Sequence, residues 1–148
     1  MVTETTVRPL AAADEARWRE LFHAYGVFYE TDFPDEVLDR VFALLLEEGS
    51  GIDGLVAERD GWVVGIAHYR SHPDTFTGGR DWYLDDLFVD PAVRGSGAGR
   101  ALIEAIAEKS AGTGGSLRWI TADDNTTAQA LYDRVATRTR WVTYEVRR

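Results

Sequence analysis

The sequence predicts an α/β (α+β) fold: a central mixed, mostly antiparallel β-sheet flanked by about four α-helices. Three features carry this expectation. Two helical periodicities precede the strands, Asp60-Gly61 gives a hairpin signal, and a strand, a glycine turn and a helix succeed one another between Trp82 and Ser110. A chain of 148 residues, 45% hydrophobic, can bury one ordinary core, so one domain spanning residues 1–148 is expected.

Thr5–Pro9 reads as a short first strand. Asp14 is a plausible N-cap for a helix running to Gly26, with Trp18, Leu21, Phe22 and Tyr25 inward. After the aromatic link Phe28–Phe33, Pro34 suits the first turn of a second helix. There Val37, Val41, Leu44 and Leu45 recur at helical spacing until Gly49-Ser50-Gly51. Leu55–Arg59 and Trp62–Tyr69 flank Asp60-Gly61, a dipeptide that favours a tight hairpin. The polar loop Ser71–Gly79 leads to a strand over Trp82–Val89, which Asp90-Pro91 ends. Ala98–Ser110 reads as a helix burying Leu102, Ile103 and Ile106. A strand over Leu117–Thr121, a helix capped by Asp123 or Asp124 and carrying Ala128, Leu131 and Val135, and a last strand over Trp141–Val146 complete the expectation.

Composition narrows the chemistry. With no cysteine, disulfides, zinc thiolates, iron–sulfur clusters and thiol nucleophiles are excluded. A formal net charge of −9 argues against nucleic acid as a partner, which would reward Lys and Arg. The same charge would attract a cationic ligand, and it would equally serve solubility. Neither a leader-like start nor an apolar run of membrane-spanning length is present, so no membrane association and a cytoplasmic location are expected. His68 and His72 lack companion ligands, so no metal is expected and His68 reads as a core or pocket-wall residue.

The segment Arg94-Gly95-Ser96-Gly97-Ala98-Gly99-Arg100 joins the buried strand to the helix, so peptide N–H groups and a helix N-terminus converge on one volume. That volume suits a pyrophosphate: glycines let the backbone approach, and Arg94 and Arg100 supply charge. A nucleotide P-loop would need a Lys that is missing, and a dinucleotide fingerprint would space its glycines differently. A plain tight turn would use the same glycines.

These residues resemble the GNAT superfamily of acetyl-CoA-dependent N-acetyltransferases, whose Arg/Gln-x-x-Gly-x-Gly/Ala signature matches Arg94, Gly97 and Gly99. Trp82-Tyr-Leu-Asp-Asp-Leu-Phe-Val-Asp-Pro resembles the family's fourth strand, and Asn125-x-x-Ala128-x-x-Leu131-Tyr132 its last helix. Tyr25-Gly-Val-Phe-Tyr29, Pro34-Asp-Glu-Val and His68-Tyr-Arg-Ser-His-Pro-Asp-Thr extend the likeness to the Hpa2-like and polyamine- or thialysine-type enzymes. A Gly-Phe pair that many relatives carry after the helix tyrosine is replaced here by Asp133-Arg-Val-Ala-Thr137.

The resemblance implies acetyl-CoA as co-substrate, bound by Leu87, Phe88, Val89, the turn Arg94, Gly95, Ser96, Gly97, Ala98, Gly99 and Arg100, and by Asn125 and Ala128. A bulge in the fourth strand would free backbone amides within Leu87–Val89 for the oxyanion. The acceptor would be a small primary amine, cationic or amino-acid-like. Alternatives are a protein lysine or N-terminal acetyltransferase and a non-catalytic acyl-CoA sensor. Relatives in the Hpa2-like branch often dimerise, so a homodimer enters as an expectation, with Trp141–Val146 pairing across the interface or covered within one chain.

An amine attacks a thioester only when neutral, so the site must help remove a proton from an ammonium whose ordinary pKa is about 10.4. Asp85 is the implied pocket acid, as relay base or charge anchor; a strand-end role, paired with Arg80, is open to it as well. Adjacent on a strand, Asp85 and Asp86 face opposite sides unless a bulge re-aims them. Asp86 is expected at the edge of the substrate site. Tyr132 is implied to protonate the departing thiolate, two helical turns from Asn125. The aromatic segment Tyr25–Phe33, which includes Tyr29 and has Glu30 and Asp32 interleaved, would suit a lid over a cationic amine or a staple joining two helices. Trp82 belongs to the core, with a rim that could meet substrate.

Overall fold

The computed structural model describes residues 4–147. Five strands form one sheet in the order β1-β2-β3-β4-β5: Thr6–Pro9, Asp53–Arg59, Trp62–Pro73, Arg80–Val89 and Gly114–Arg118. The first four pair antiparallel, and β4 pairs parallel with β5. Helices α1 (Glu15–Phe28) and α2 (Asp35–Leu46) precede β2, α3 (Ala98–Ser110) joins β4 to β5, and α4 (Thr126–Val135) follows β5. The α/β class, the mixed sheet and the four helices are those expected.

Because side chains alternate across a strand, the sheet carries an apolar cluster on each face. On one face Val56, Val63, Ile66 and Phe88 pack with Trp18, Leu21 and Phe22 of α1 and Leu38, Phe42 and Leu45 of α2. On the other Leu55, Ala57, Val64, Ala67, Tyr69 and Leu84 meet Leu102, Ile103 and Ile106 of α3, with Leu131, Tyr132 and Val135 of α4 at the margin. In α2 the buried stripe is Leu38, Phe42 and Leu45, whereas Leu44, expected inward, is 45% exposed. The hairpin turns at Asp60 and Gly61, both in the left-handed region at φ 53° and 74°, as the short turn between twisted strands requires.

Several local expectations are corrected. Helix α1 continues past Gly26 to Phe28. Asp14 stands at its N-cap position without capping it; its carboxylate accepts from the Ala11 amide at 2.8 Å and takes both Arg8 Nη groups at 2.8 Å. Strand β5 lies at Gly114–Arg118 rather than Leu117–Thr121. Asn125, not Asp123 or Asp124, caps α4, its Oδ1 accepting from the Ala128 amide at 3.4 Å. No strand forms over Trp141–Val146. An alternating sequence becomes a strand only by pairing, and this segment pairs with nothing described, leaving Trp141 84% and Tyr144 92% exposed.

Candidate active site

The site grows from an irregularity in β4. Tyr69 faces Leu84 and His68 faces Asp86, so Asp85 is an extra residue in β4, a β-bulge. The bulge resets the alternation: Arg70 and Tyr83 lie opposite one another before it, His68 and Asp86 after it, and Asp85 reaches Arg70. Asp85 and Asp86 therefore project on one face, the α1 face; the bulge re-aims the pair, which is the exception allowed to their facing opposite sides. Pairing between β4 and β5 ends at Tyr83 and Arg118. From Leu84 to Val89, β4 has β3 alone as a neighbour among the described residues, so its other edge presents backbone N–H and C=O groups. Leu87, Phe88 and Val89 lie on that open stretch.

Behind Asp86 runs a buried chain of hydrogen bonds. Trp18 Nε1–H donates to His68 Nε2 at 2.9 Å, and His68 Nδ1 contacts Asp86 Oδ2 at 2.9 Å. An indole N–H only donates, so Nε2 must accept, and the proton lies on Nδ1, which donates to Asp86. Trp18 and His68 are 0% and 1% exposed, which locks the ring's tautomer. Burial, with the charge of nearby Asp86 second, pushes the Tyr25 phenol far up. Phe22, Phe33, Tyr25, Tyr29 and Phe88 stack around this spot, with Phe22–Phe33 centroids 4.7 Å and Tyr25–Tyr29 centroids 5.0 Å apart.

Tyr132 of α4 arrives from the other side. Its ring meets Trp119 edge-on at 5.3 Å, beyond the end of β5. Burial pushes its phenol up to about 12, and Tyr29 adds to the shift electrostatically. Tyr132, Tyr29, Tyr25 and Asp86 thus gather where β4 and β5 part. The other residues expected here distribute unevenly. Asp85 is held by Arg70 Nε at 3.0 and 3.2 Å, not by Arg80, whose guanidinium goes to Ser71. Glu30 is exposed at φ 59° in the link between α1 and α2. Trp82 stacks on Tyr69 and donates to Thr113 Oγ1 at 2.8 Å on the α3 face, away from both acids. It is a core residue.

The glycine turn follows β4. Gly95 and Gly97 have φ of 82° and 88°, and a Cβ on either would meet nothing within 4 Å, so conformation rather than crowding demands glycine there. Gly99 differs: a Cβ would lie 3.3 Å from Leu131 and 3.6 Å from Val89, so it allows α3 to approach β4 and α4. Ser96 Oγ accepts from the Ala98 amide at 3.4 Å, while the next amides of α3 have no carbonyl a turn earlier in the helix. Arg59 braces the turn through the Ser96 carbonyl at 3.1 Å, and Arg17 holds Asp90 at 2.7 Å. Arg100 lies against Glu104 at 2.7 Å, and Arg94 makes no ion pair among the described residues. Open left-handed glycines, a helix N-terminus and a flanking arginine fit a pyrophosphate, and the open β4 edge fits an extended amide-bearing chain. Asn125 spends its carbonyl on the α4 cap and donates to Thr121 Oγ1 at 3.2 Å; Ala128 lies within the first turn of that helix.

Trp18 and Tyr25 entered the sequence reading as inward residues of α1, Tyr25 also within the lid segment; the hydrogen-bonding members missed are His68 and Arg70. Their signal was register: once β3 and β4 are aligned, His68 falls opposite Asp86 and Arg70 next to Asp85, but the alignment depends on a bulge that no residue type announces. Among the described residues no group of three or more His or acidic side chains is placed to share a metal ion, and no helix is long and apolar enough to cross a membrane.

Comparison with known proteins agrees with this geometry. Residues 18–136 match the profile of the Acetyltransferase (GNAT) family. The D-amino-acid N-acetyltransferase HPA3 of Saccharomyces cerevisiae is 32% identical over 142 residues, covering 94% of this chain and 88% of that protein. Among solved structures, the aminoglycoside N-acetyltransferase AAC(6')-Iy in complex with CoA superposes with a TM-score of 0.81 at 20% identity, over 99% of this chain and 96% of that one. The ribosomal-protein-alanine N-acetyltransferase of Brucella melitensis biovar Abortus 2308 gives 0.80 at 24% identity, over 97% and 99%. Fold and sequence together define an acetyl-CoA-dependent N-acetyltransferase. The chain belongs to the GNAT family.

Proposed function

We propose that this protein moves the acetyl group of acetyl-CoA directly to the primary amine of a small molecule, cationic or amino-acid-like, with Tyr132 as the general acid. The observation that carries the reading is the gathering of Tyr132, Tyr29, Tyr25 and Asp86 where β4 and β5 part, at the end of the strand that feeds the glycine turn. The names of relatives that act on D-amino acids and aminoglycosides support a small amine.

Acetyl-CoA, when bound, supplies an activated thioester; the chain's residues supply placement and protons. Gly95–Arg100, with the amides of α3 and Arg94, hold the pyrophosphate, and the β4 edge over Leu87–Val89 aligns the pantetheine and offers amides to the carbonyl oxygen. Asp86 accepts from His68, and a carboxylate has about four acceptor positions, so capacity remains for an ammonium or a relay water. Asp85, engaged by Arg70, is a weaker candidate than the sequence implied. Tyr132 keeps its proton until the thiolate departs, because burial raises its pKa.

Release of CoA from acetyl-CoA, measured over polyamines, amino acids, arylamines and lysine peptides, tests the reading: small amines should turn over and peptides should not. A homodimer is part of the same proposal, supported by the exposed Trp141, Val142, Tyr144 and Val146 and by the outer edge of β5, which no described strand covers. Sedimentation velocity over a concentration series should show a dimer; a monomer throughout would remove it.

A further inference from the structure

The bulge places two acids on the substrate face, but they are not equivalent. Asp85 receives Arg70 Nε at 3.0 and 3.2 Å, and the same guanidinium lies over the Tyr83 ring, 4.8 Å from its centroid. That engagement goes through Nε alone. Both Nη groups of Arg70 make no hydrogen bond to any described residue, and the side chain is 43% exposed. The ion pair and the ring fix the guanidinium in place while its terminal fork stays available.

A planar fork of N–H donors is matched by a carboxylate, which can accept two parallel bonds from it. Arg70 and Asp86 lie on the same face of the sheet. His68, opposite Asp86, and Arg70, opposite Tyr83, are two residues apart on β3 and share a face. An amino acid carries an ammonium and a carboxylate on one carbon, and so offers one group to each sign of charge on this face. A polyamine or other polycation would instead set like charge against Arg70.

We propose that the acceptor is a free amino acid, with its ammonium on Asp86 and its carboxylate on the fork of Arg70. Asp85 and Tyr83 act as positioning residues for that fork, as His68 and Trp18 do for Asp86. The proposal rests on the reading of this site as one that acetylates a small amine, and it names the substrate class.

Initial rates of CoA release should be compared for matched sets: amino acids of either hand, their carboxamides and their decarboxylated amines. The acid of a set should exceed its carboxamide in kcat/KM by about 10- to 100-fold, the factor that charge-assisted hydrogen bonds carry. In Arg70→Gln that ratio should collapse to near one, with the change in KM. Arg70→Lys, which keeps the charge but not the fork, should recover only part of it, and thermal melts of both variants would establish that they are folded. Carboxamides or diamines matching the acids in the wild type, or a ratio unmoved in Arg70→Gln, would overturn the amino-acid assignment while leaving a small-amine enzyme. No CoA release with any amine would overturn both.

Discussion

Tyr132 and three aspartates, Asp14, Asp85 and Asp86, decide most of what can be tested at the scale of single residues. Tyr132 is a phenol pushed up to about 12 by burial, so it stays protonated through neutral and mildly alkaline pH and can serve as a donor there. Replacing it by Phe keeps the ring against Trp119 and removes the proton; kcat should fall by about 100-fold or more while acetyl-CoA affinity, read by calorimetry, holds. Asp14 is a structural counterpart. The hydrogen bond from Arg8 holds its carboxyl below the ordinary carboxylate value, so its contribution to stability is present above that value and lost as pH falls through its own lower one. Asp14→Asn should cost about 1.5–3 kcal/mol at pH 7 by urea unfolding, and the gap from wild type should narrow as pH is lowered towards 3. The family resemblance, not residue types, pointed to Tyr132 and to Asp85 in β4. Residue types could not weigh Asp85 against Asp86, because the two differ through partners, Arg70 for one and His68 for the other, that the fold brings from β3.

Elements were legible where the determining chemistry is local. Asp60-Gly61 takes left-handed geometry whatever surrounds it, and Gly95 and Gly97 announce a turn in the same way. Gly97→Ala should therefore cost about 1–2 kcal/mol in stability, since φ 88° strains any Cβ although open space awaits it, and should weaken acetyl-CoA binding by distorting the turn. A denaturation curve and a calorimetric titration would check both. Elements fixed by pairing were not legible. The bulge at Asp85 exists because β3 and β4 shift register there, and the alternation over Trp141–Val146 describes a strand that finds no partner.

For the whole molecule, one sheet serves as the floor of both apolar clusters, with α1 and α2 on one face and α3 and α4 on the other. Neither cluster can be lost without exposing the strands that build the other, so the chain is proposed to be a single domain that unfolds as one unit. Scanning calorimetry should give one transition with calorimetric and van't Hoff enthalpies equal; two resolved transitions would divide it. The same arrangement explains the place of the site. Each half of the molecule sends one tyrosine-bearing helix to the gap between β4 and β5, Tyr25 and Tyr29 at the end of α1 and Tyr132 on α4, so the proposed chemistry requires both halves to be docked.

The most direct measurement is CoA release from acetyl-CoA with the amine panel, run side by side with wild type and Tyr132→Phe. Turnover of a small primary amine by the wild type, with at least a 100-fold loss in the variant at unchanged acetyl-CoA affinity, is the predicted result. Equal turnover by the two proteins would contradict Tyr132 as the proton donor, and no turnover of any small amine by a wild type that binds acetyl-CoA would contradict small-amine acetylation itself.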